Sequence, residues 1–496
     1  MNNSESYSEL KEETSIDKEI KPKFIYFIIL AIILIIIKVS IFNFKKEPLI
    51  SKYKKNPFLQ TEFLLNTFNT SKKLDLTLFK KNKNTIKQKI KNIISQKENN
   101  KEIYKCLSTI YGAFLADSMG SNCEFSEPNK SNHLTIYSNI LNRRFEPGQI
   151  TDDSELAMSI SFSILDNLNY EKINPNILFF YYSIWYNSNP KDIGITTGNA
   201  LSKLNIYKTS ITDKEIFTEK FKKEIKKENN LSLSNGFCMR LSPFLSWFYM
   251  MNKDYISNIL KSKLSEKYYE LYIKIYNEIS KDNQLSHPNE EQPIAGSILI
   301  FMGLCSMQDN ISGKEILEKI QILFSSQFFN NENNKNEIKI NKHFKNLLSI
   351  YRNKDFNKDI FFSNIIENMG NLYHAFNLTV YYLDTFDENK KKMSLTELYT
   401  KIIYEICDFG GDTDTNGAIV GMVIGPLIGV ENFEKKYFDI FLDFYSEERI
   451  IYTNVLMYFY VDFLKQISSK YIIKNLNGVS FKVMDILLKM LYTEIE

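Results

Sequence analysis

The stretch DFGGDTDTNGAIVG, Asp408–Gly421, sets two aspartates two residues apart, each followed by a threonine, between a glycine pair and an apolar run. The run continues to Gly429, and Gly417, Gly421 and Gly425 recur every four residues along it. This period predicts a buried helix with a smooth stripe on which another helix can pack closely. The helix begins at the aspartates, where free N–H groups and the helix dipole favour ionised carboxylates.

The same loop fits the first half of an EF-hand calcium loop, with Asp412, Asp414, Asn416 and Gly417 at positions 1, 3, 5 and 6. Position 12 of an EF-hand must be a bidentate glutamate, and here it is Val423. The calcium-loop interpretation is therefore rejected. Simple helix capping is the other ordinary explanation, but a cap needs one polar side chain, and this loop supplies four.

A second acidic cluster lies in QITDDSELAMSI, which begins at Gln149. This segment also predicts a helix start, with Thr151 as the N-cap and Glu155 in the first turn. Alone it would be an ordinary cap. Together the two segments offer four carboxylates and two hydroxyls, which suit two hard divalent cations, Mg²⁺ or alternatively Mn²⁺. The predicted metal ligands are Thr151, Asp152, Asp153, Asp412, Asp414 and Thr415.

The composition of the chain indicates its fold class and argues against several kinds of partner and site. The 62 basic and 59 acidic residues give a net charge of +3, so we expect no nucleic-acid partner. Five cysteines without a CxxC pair, and four histidines without zinc-ligand spacing, argue against a disulfide framework or a zinc site. Sparse proline and long apolar stretches without strand-like alternation predict an all-α fold.

The chain divides by composition into five parts. Residues 1–23 are polar and predicted to be disordered. Residues 24–44 are about long enough to span a bilayer and predict a single-pass membrane anchor, with the excess of following lysines favouring a cytosolic body. Residues 45–100 are rich in Lys and Asn and predict a linker or stalk. Residues 101–496 form the predicted catalytic body, which we expect to be monomeric, with 330–342 as a surface insertion.

The two acidic segments, in this order, resemble the ADP-ribosylglycohydrolase family. Further matches follow the family's order over about residues 101–430, with Ala116 and Ser286 standing where the family has glycine and threonine. The matching segments are GAFLADSMGSNCEF (Gly112–Phe125), DIGITTGNAL (Asp192–Leu201), LSNGFCMRLSPF (Leu233–Phe244), LSHP (Leu285–Pro288) and GNLYHAFNLTVYYL (Gly370–Leu383). The resemblance implies a compact orthogonal multi-helix bundle, here preceded by the anchor helix.

The resemblance also implies a hydrolase that removes ADP-ribose from modified proteins or small molecules. It would cleave the N- or O-glycosidic bond at the distal ribose, with two Mg²⁺ ions holding the ribose hydroxyls. Glu124 is the implied residue for positioning or deprotonating water, and Asp153 would share acid–base work besides binding metal. The implied substrate-binding residues are Gly194, Thr196, Thr197, Ser234, Asn235, Gly236 and His287.

Structural explanations remain open for these residues. Glu124 could be an exposed residue at a helix end, the LSNGF segment an ordinary turn, and His287 a structural histidine. Two other functions also remain open. One is a non-catalytic ADP-ribose-binding or structural relative of the family, and the other is a two-metal phosphoester hydrolase. The linkage cleaved, to arginine, serine or another acceptor, also stays open.

Overall fold

The chain folds into helices, as its apolar stretches and scarce prolines predict. The computed structural model describes residues 76–138, 144–167, 171–203, 214–330, 334–468 and 482–492. These residues contain no β-strand, and their only bridges are the isolated pairs Ser126–Gly411 and Ser234–Asn371. The all-α prediction is confirmed. The predicted disordered N-terminus and membrane anchor lie outside the described residues. Among the helices that the structure describes, none is long and apolar enough to cross a bilayer.

The α-helices are numbered in chain order. Helices α1 to α9 are Leu76–Ser95, Lys101–Gly120, Asp152–Asp166, Pro175–Asn187, Ile195–Leu201, Lys214–Asn229, Ser242–Ser262, Ser265–Asn283 and Glu291–Ser306. Helices α10 to α18 are Gly313–Phe324, Lys335–Tyr351, Lys358–Phe362, Leu372–Lys390, Leu395–Phe409, Thr413–Ile428, Lys435–Asp443, Met457–Ser468 and Lys482–Tyr492. All of them lie in one compact unit, Leu64–Glu496.

Helices α2 and α15 form the centre of the fold, and glycines let their backbones approach closely. A Cβ added to Gly112 would lie 2.6 Å from the carbonyl oxygen of Gly421 and 3.0 Å from the Cα of Gly425. The predicted glycine stripe of α15 is therefore confirmed as a helix-packing surface. At the far end of α2, a Cβ on Gly120 would lie 2.7 Å from the Cα of Asp414. This packing sets the last turn of α2 beside the aspartates that open α15.

Helices α3 and α9 are buried along their whole length, as the apolar stretches in their sequences predict. Helix α9 packs against α15, and the first turn of α3 meets both α2 and α15. Three helix ends therefore converge inside the body: the C-terminal end of α2 and the N-terminal ends of α3 and α15. Polar groups buried at this position need partners, either one another or a bound ligand.

The linker predicted over residues 45–100 is wrong from Leu76 onward. Helix α1 buries Phe79, Ile86 and Ile90 against the body. The side-chain amide of Asn82 donates to the carbonyl oxygen of Met490 in α18 across 3.1 Å. The sequence shows some helical periodicity over residues 45–100, but its abundance of lysine and asparagine favoured a linker or stalk over a helix packed on the body.

The surface insertion predicted over residues 330–342 is helical from Lys335, with one face exposed and the other buried. Helix α11 begins at Lys335, and Glu337, Ile340 and Asn341 in its first two turns are buried. The side chain of Asn334 accepts a hydrogen bond from the Glu337 N–H and caps this helix. The low-complexity composition of the segment concealed a capped amphipathic helix.

Candidate active site

The first helix end contributes Asp117, which is completely buried near the end of α2. Its carboxylate accepts from the backbone N–H of Thr151 at 3.2 Å and of Ser154 at 3.3 Å, and also from the Ser154 hydroxyl. Asp117 thus binds the N-terminal end of α3, a position that favours an anion. Burial nevertheless raises the pKa of Asp117 to about 7, because these bonds only partly offset the loss of hydration.

The second helix end contributes Thr151 and Asp153. As predicted, Thr151 is the N-cap of α3, and its hydroxyl accepts from the Asp153 N–H at 3.4 Å. Asp153 Oδ2 accepts from the hydroxyl of Thr151 at 3.1 Å and from that of Thr415 at 3.3 Å. The other oxygen, Oδ1, is buried and has no hydrogen-bond partner among the described residues. Burial, with the neighbouring charges of Asp117 and Asp152, raises the pKa of Asp153 well above its usual value.

Asp117, Asp153 and Asp414 form the first candidate metal group. Each offers a carboxylate oxygen, and these oxygens lie within 4.8 Å of one another. All three side chains are buried, and no lysine or arginine in the described part of the chain forms an ion pair with any of them. Three close buried carboxylates without a counter-charge suit a hard divalent cation, which prefers oxygen ligands.

Glu124, Asp192 and Asp414 form a second candidate group, whose oxygens also lie within 4.8 Å of one another. The guanidinium of Arg144 bridges Glu124, at 2.7 Å from Oε2, and Asp192. Burial, then the charges of Asp192 and Asp412, raise the pKa of Glu124 to about 9. Because Asp414 belongs to both groups, the two candidate metal positions are adjacent.

The remaining predicted ligands connect this centre to the predicted substrate segments. Asp412 is the N-cap of α15 but makes no side-chain capping bond. Its Oδ2 instead accepts from the side-chain amide of Asn235 at 2.8 Å. Asp152 Oδ2 accepts from the backbone N–H of Gly194 at 3.2 Å. Capping therefore does not explain Asp412, since its carboxylate is used elsewhere.

Backbone pairing holds Glu124 against the acidic loop that precedes α15. The N–H of Phe125 donates to the carbonyl of Gly411 at 2.7 Å, and the N–H of Gly411 donates to the carbonyl of Ser126 at 3.0 Å. Gly410 and Gly411 have φ angles of 73° and 71°, a conformation that favours glycine. The glycine pair thus lets the loop turn and pair with the Glu124 segment.

The predicted diphosphate segment is held beside this loop. The N–H of Asn235 donates to the carbonyl of Gly370 at 2.8 Å, and the hydroxyl of Ser234 accepts from the Gly236 N–H at 3.4 Å. A Cβ added to Gly236 would lie 3.0 Å from His287 Nε2 and 3.4 Å from the Thr197 hydroxyl. Gly236, Thr197 and His287 therefore meet.

Thr196 differs from its neighbour Thr197. Its hydroxyl hydrogen-bonds that of Ser232 at 2.9 Å and does not join the group around His287. The structure thus brings together most of the predicted substrate residues but gives Thr196 a partner of its own.

The sequence profile of the ADP-ribosylglycohydrolase family matches residues 99–446. The chain belongs to the ADP-ribosylglycohydrolase family. An Acanthamoeba polyphaga mimivirus protein named as an ADP-ribosyl glycohydrolase is 29% identical over 351 residues, which is 66% of this chain and 88% of that protein. A solved structure titled as an ADP-ribosylglycohydrolase-related protein complex is 13% identical and covers 74% of this chain and 99% of its own, with a TM-score of 0.42.

The ADP-ribosylglycohydrolase profile ends at residue 446, but the packing of the body continues beyond it. Arg449 is buried, and its Nε donates to Glu155 at 2.9 Å in the first turn of α3. It also donates from Nη1 to the carbonyl of Ser188 at 2.9 Å. The segment after the profile therefore supports the helix that presents Asp153.

Asp117 and Asp192 are the residues of this centre that the ligand prediction missed. Both stand inside segments that resemble the family, Asp117 in GAFLADSMG and Asp192 at the start of DIGITTG. Each is a single aspartate without an acidic neighbour, so nothing local marks it as a ligand. A search for every lone aspartate adjoining a glycine-rich family segment would have found both.

Proposed function

We propose that this ADP-ribosylglycohydrolase-family chain hydrolyses the N- or O-glycosidic bond at the distal ribose of ADP-ribosylated proteins or ADP-ribose-containing small molecules. Two divalent cations, Mg²⁺ or Mn²⁺, would assist the reaction. The observation that carries the proposal is the pair of carboxylate groups that share Asp414 beside Glu124. This arrangement places candidate metal ligands next to a candidate catalytic carboxyl.

The residues present suit such cations. Asp153 Oδ1 is a buried acceptor without a partner among the described residues. The donor set is composed of oxygens, which Mg²⁺ and Mn²⁺ prefer. Asp117, Asp153 and Asp414 would hold one cation, and Asp192 and Asp414, beside Glu124, would hold the other. When bound, the cations would orient the ribose hydroxyls and stabilise negative charge.

Glu124 is the proposed residue for water activation. Its Oε2 accepts from Arg144, whereas Oε1 has no hydrogen-bond partner among the described residues. Oε1 of the ionised carboxyl, the form that a bound cation nearby would favour, is therefore available to orient a water molecule and take its proton. The water oxygen bonds to the anomeric carbon as the bond to the acceptor nitrogen or oxygen breaks, and the acceptor leaves with a proton. The surrounding carboxylates stabilise the oxocarbenium character that develops on the sugar.

Other predicted residues receive proposed roles from their positions. Asp153 is first a cation ligand, with a share in proton transfer, and Thr151 and Thr415 orient it through their hydroxyls. Asp412 and Asp152 fix the substrate segments through Asn235 and Gly194. The proposed contacts to the diphosphate are Ser234, Asn235, Gly236, Thr197 and His287, with Gly194 and Thr196 at the periphery.

The direct test incubates the full-length protein and Mg²⁺ with arginine-linked and serine-linked ADP-ribosylated proteins side by side. Free ADP-ribose is the expected product, and substituting Asp412→Asn with Asp414→Asn should abolish its release. No release from any substrate, or release unchanged in the double variant, would overturn the proposal. Binding of ADP-ribose without turnover would favour the non-catalytic relative. Release of ribose 5-phosphate would favour the phosphoester hydrolase.

The membrane anchor over residues 24–44 remains a prediction. The partner it implies is a lipid bilayer, with the body on the cytosolic side. Sedimentation of the full-length protein with membranes after alkaline carbonate washing tests the anchor. Protease accessibility of the body in sealed vesicles tests its orientation.

A further inference from the structure

A buried chain of hydrogen bonds runs behind the proposed diphosphate segment. The carboxylate of Asp282 accepts from the hydroxyl of Tyr182 at 2.7 Å and from Nε and Nη2 of Arg240, each at 3.1 Å. Asp282 and Arg240 are both 0% exposed. The two bonds between them fix the plane of the guanidinium, as bidentate pairing does.

Arg240 Nη2 also donates to the hydroxyl oxygen of Ser286 at 2.7 Å. A guanidinium nitrogen only donates, so the Ser286 oxygen is the acceptor in this bond. The hydroxyl hydrogen of Ser286 therefore remains to be donated elsewhere. The only other hydrogen-bond partner of this oxygen among the described residues is His287 Nδ1, at 2.8 Å.

This arrangement selects one tautomer of His287. If Nδ1 carried the proton, it would donate to Ser286 and leave the buried hydroxyl hydrogen unpaired, at a cost of about 1–3 kcal/mol. If Nδ1 accepts from Ser286, that hydrogen is satisfied and the ring proton lies on Nε2. Burial, with the charge of Arg240, lowers the pKa of His287 well below its usual value, so the ring is neutral.

His287 Nε2 is then an N–H donor without an acceptor. It is buried, has no hydrogen-bond partner among the described residues, and lies beside Gly236, where an added Cβ would be only 3.0 Å away. The proposed diphosphate segment thus adjoins a neutral donor of fixed orientation. An anionic phosphate oxygen is the acceptor such a donor suits.

We propose that Ser286 and Arg240 are positioning residues that hold His287 as the Nε2–H tautomer, so that it donates to a diphosphate oxygen of the ligand. The identity of the ligand rests on the proposed function, whereas the tautomer does not. Ser286 stands where the family has threonine, and both residues carry the required hydroxyl.

The tautomer is measurable because the chain has only four histidines. Long-range ¹H–¹⁵N correlation spectra of the ¹⁵N-histidine-labelled full-length protein should show the Nε2–H pattern for His287, unchanged between pH 6 and 8. His343 and His374 should show the same pattern, because their Nε2 atoms face oxygen acceptors at 2.8 and 2.9 Å. His287→Ala should remove one set of Nε2–H signals and so assign it. ADP-ribose binding, measured by calorimetry on the same samples, reports on the ligand.

Two substitutions of Ser286, to threonine and to valine, have nearly equal shape and test the role of the Ser286 hydroxyl. Ser286→Thr keeps it and should retain both the Nε2–H pattern and the affinity. Ser286→Val replaces it with a methyl group and removes the bond that selects the tautomer, so the Nε2–H pattern should no longer be exclusive, and ADP-ribose binding should weaken on the order of tenfold. Unfolding curves verify that both variants are folded, and Ser286→Ala replaces Ser286→Val if the valine variant is not.

Three results would overturn parts of the inference. An Nδ1–H or a charged ring in the unsubstituted protein would overturn the tautomer. A Ser286→Val protein with the original pattern and an affinity within about twofold would overturn the role of Ser286. The Nε2–H pattern without any ADP-ribose binding would overturn the assigned ligand together with the proposed function, and would leave the tautomer established.

Discussion

Asp153 and Thr415 are 262 residues apart in the chain, yet the Thr415 hydroxyl donates to Asp153 Oδ2 across 3.3 Å. This bond joins the first turn of α3 to the first turn of α15. Each turn, taken alone, has the composition of an ordinary helix cap. Their contact turns two helix starts into one acidic centre, because the dipoles of both helices point at the same carboxylates.

Asp414→Asn is expected to remove both candidate metal positions, since Asp414 belongs to each group. We expect ADP-ribose release to fall more than about 100-fold. Mn²⁺ binding, followed by electron paramagnetic resonance, should weaken in parallel. The matched control is Asp408→Asn, because Asp408 pairs with His133 at 2.9 Å outside both groups. Equal losses in the two variants would contradict the assignment.

Glu124→Gln is expected to lower kcat by about 10²- to 10⁴-fold, because the amide cannot accept a proton from water. ADP-ribose affinity should change by less than about threefold, since the proposed diphosphate contacts are untouched. Steady-state kinetics and calorimetry separate the two quantities. Glu127→Gln alters an exposed neighbour and should match the unsubstituted protein. A Glu124→Gln enzyme with normal kcat would exclude water activation by this residue.

The cation-free protein is expected to lose stability as the pH rises. The pKa of Asp117 is raised from 3.8 to about 7 in the folded state, so the folded protein holds a proton that the unfolded chain releases. The stabilisation is complete below about pH 4 and is lost as the pH rises through 7. Denaturant unfolding in EDTA between pH 5 and 8 should show this decline, and Asp117→Asn should make it shallower, because Glu124 and Asp153 keep raised pKa values of their own. A rise in stability over this range in both proteins would contradict the shift.

Gly421→Ala is expected to lower the free energy of unfolding by about 3 kcal/mol, because its Cβ would overlap the carbonyl of Gly112. The backbones of α2 and α15 would have to separate. The control is Gly198→Ala in α5, whose Cβ would meet only the Ile193 side chain, at 3.6 Å. It should be neutral or slightly stabilising. Thermal and denaturant unfolding compare the pair, and equal stability would refute the close approach.

Arg449→Met is expected to lower the free energy of unfolding by about 3–5 kcal/mol, because it leaves the buried Glu155 carboxylate without its charged partner. The control is Arg352→Met, since Arg352 is half exposed and lies 3.8 Å from Asp384. Its loss should cost less than about 1 kcal/mol. If both variants unfold alike, the segment beyond the family profile contributes little to the body.

Local sequence patterns were sufficient to predict where helices α3 and α15 begin. The cap at Thr151, the start of α15 at Asp412 and the glycine spacing of α15 each depend on residues a few positions apart. The missing glutamate at position 423 likewise excludes a calcium loop without any structure. These features are local, so a sequence displays them directly.

Features that depend on tertiary contacts were not predictable in this way. Asp117 and Asp192 become candidate ligands only through their approach to Asp414, which no local pattern encodes. The packing of helix α1 was not predicted because its apolar residues are scattered among many lysines and asparagines, and only tertiary contacts, with α18 and other parts of the body, give them a buried face. Whether such residues become ligands or core residues depends on the distances between segments of the folded chain, and not on residue type alone.

The pairing of α1 with α18 has a consequence for the order of folding. Asn82 donates to the carbonyl oxygens of Lys489 and Met490, which are 407 and 408 residues away. Contacts of such long sequence separation cost the most loop-closure entropy. This pairing, which helps to bury Phe79, Ile86 and Ile90, is therefore expected to form late in folding.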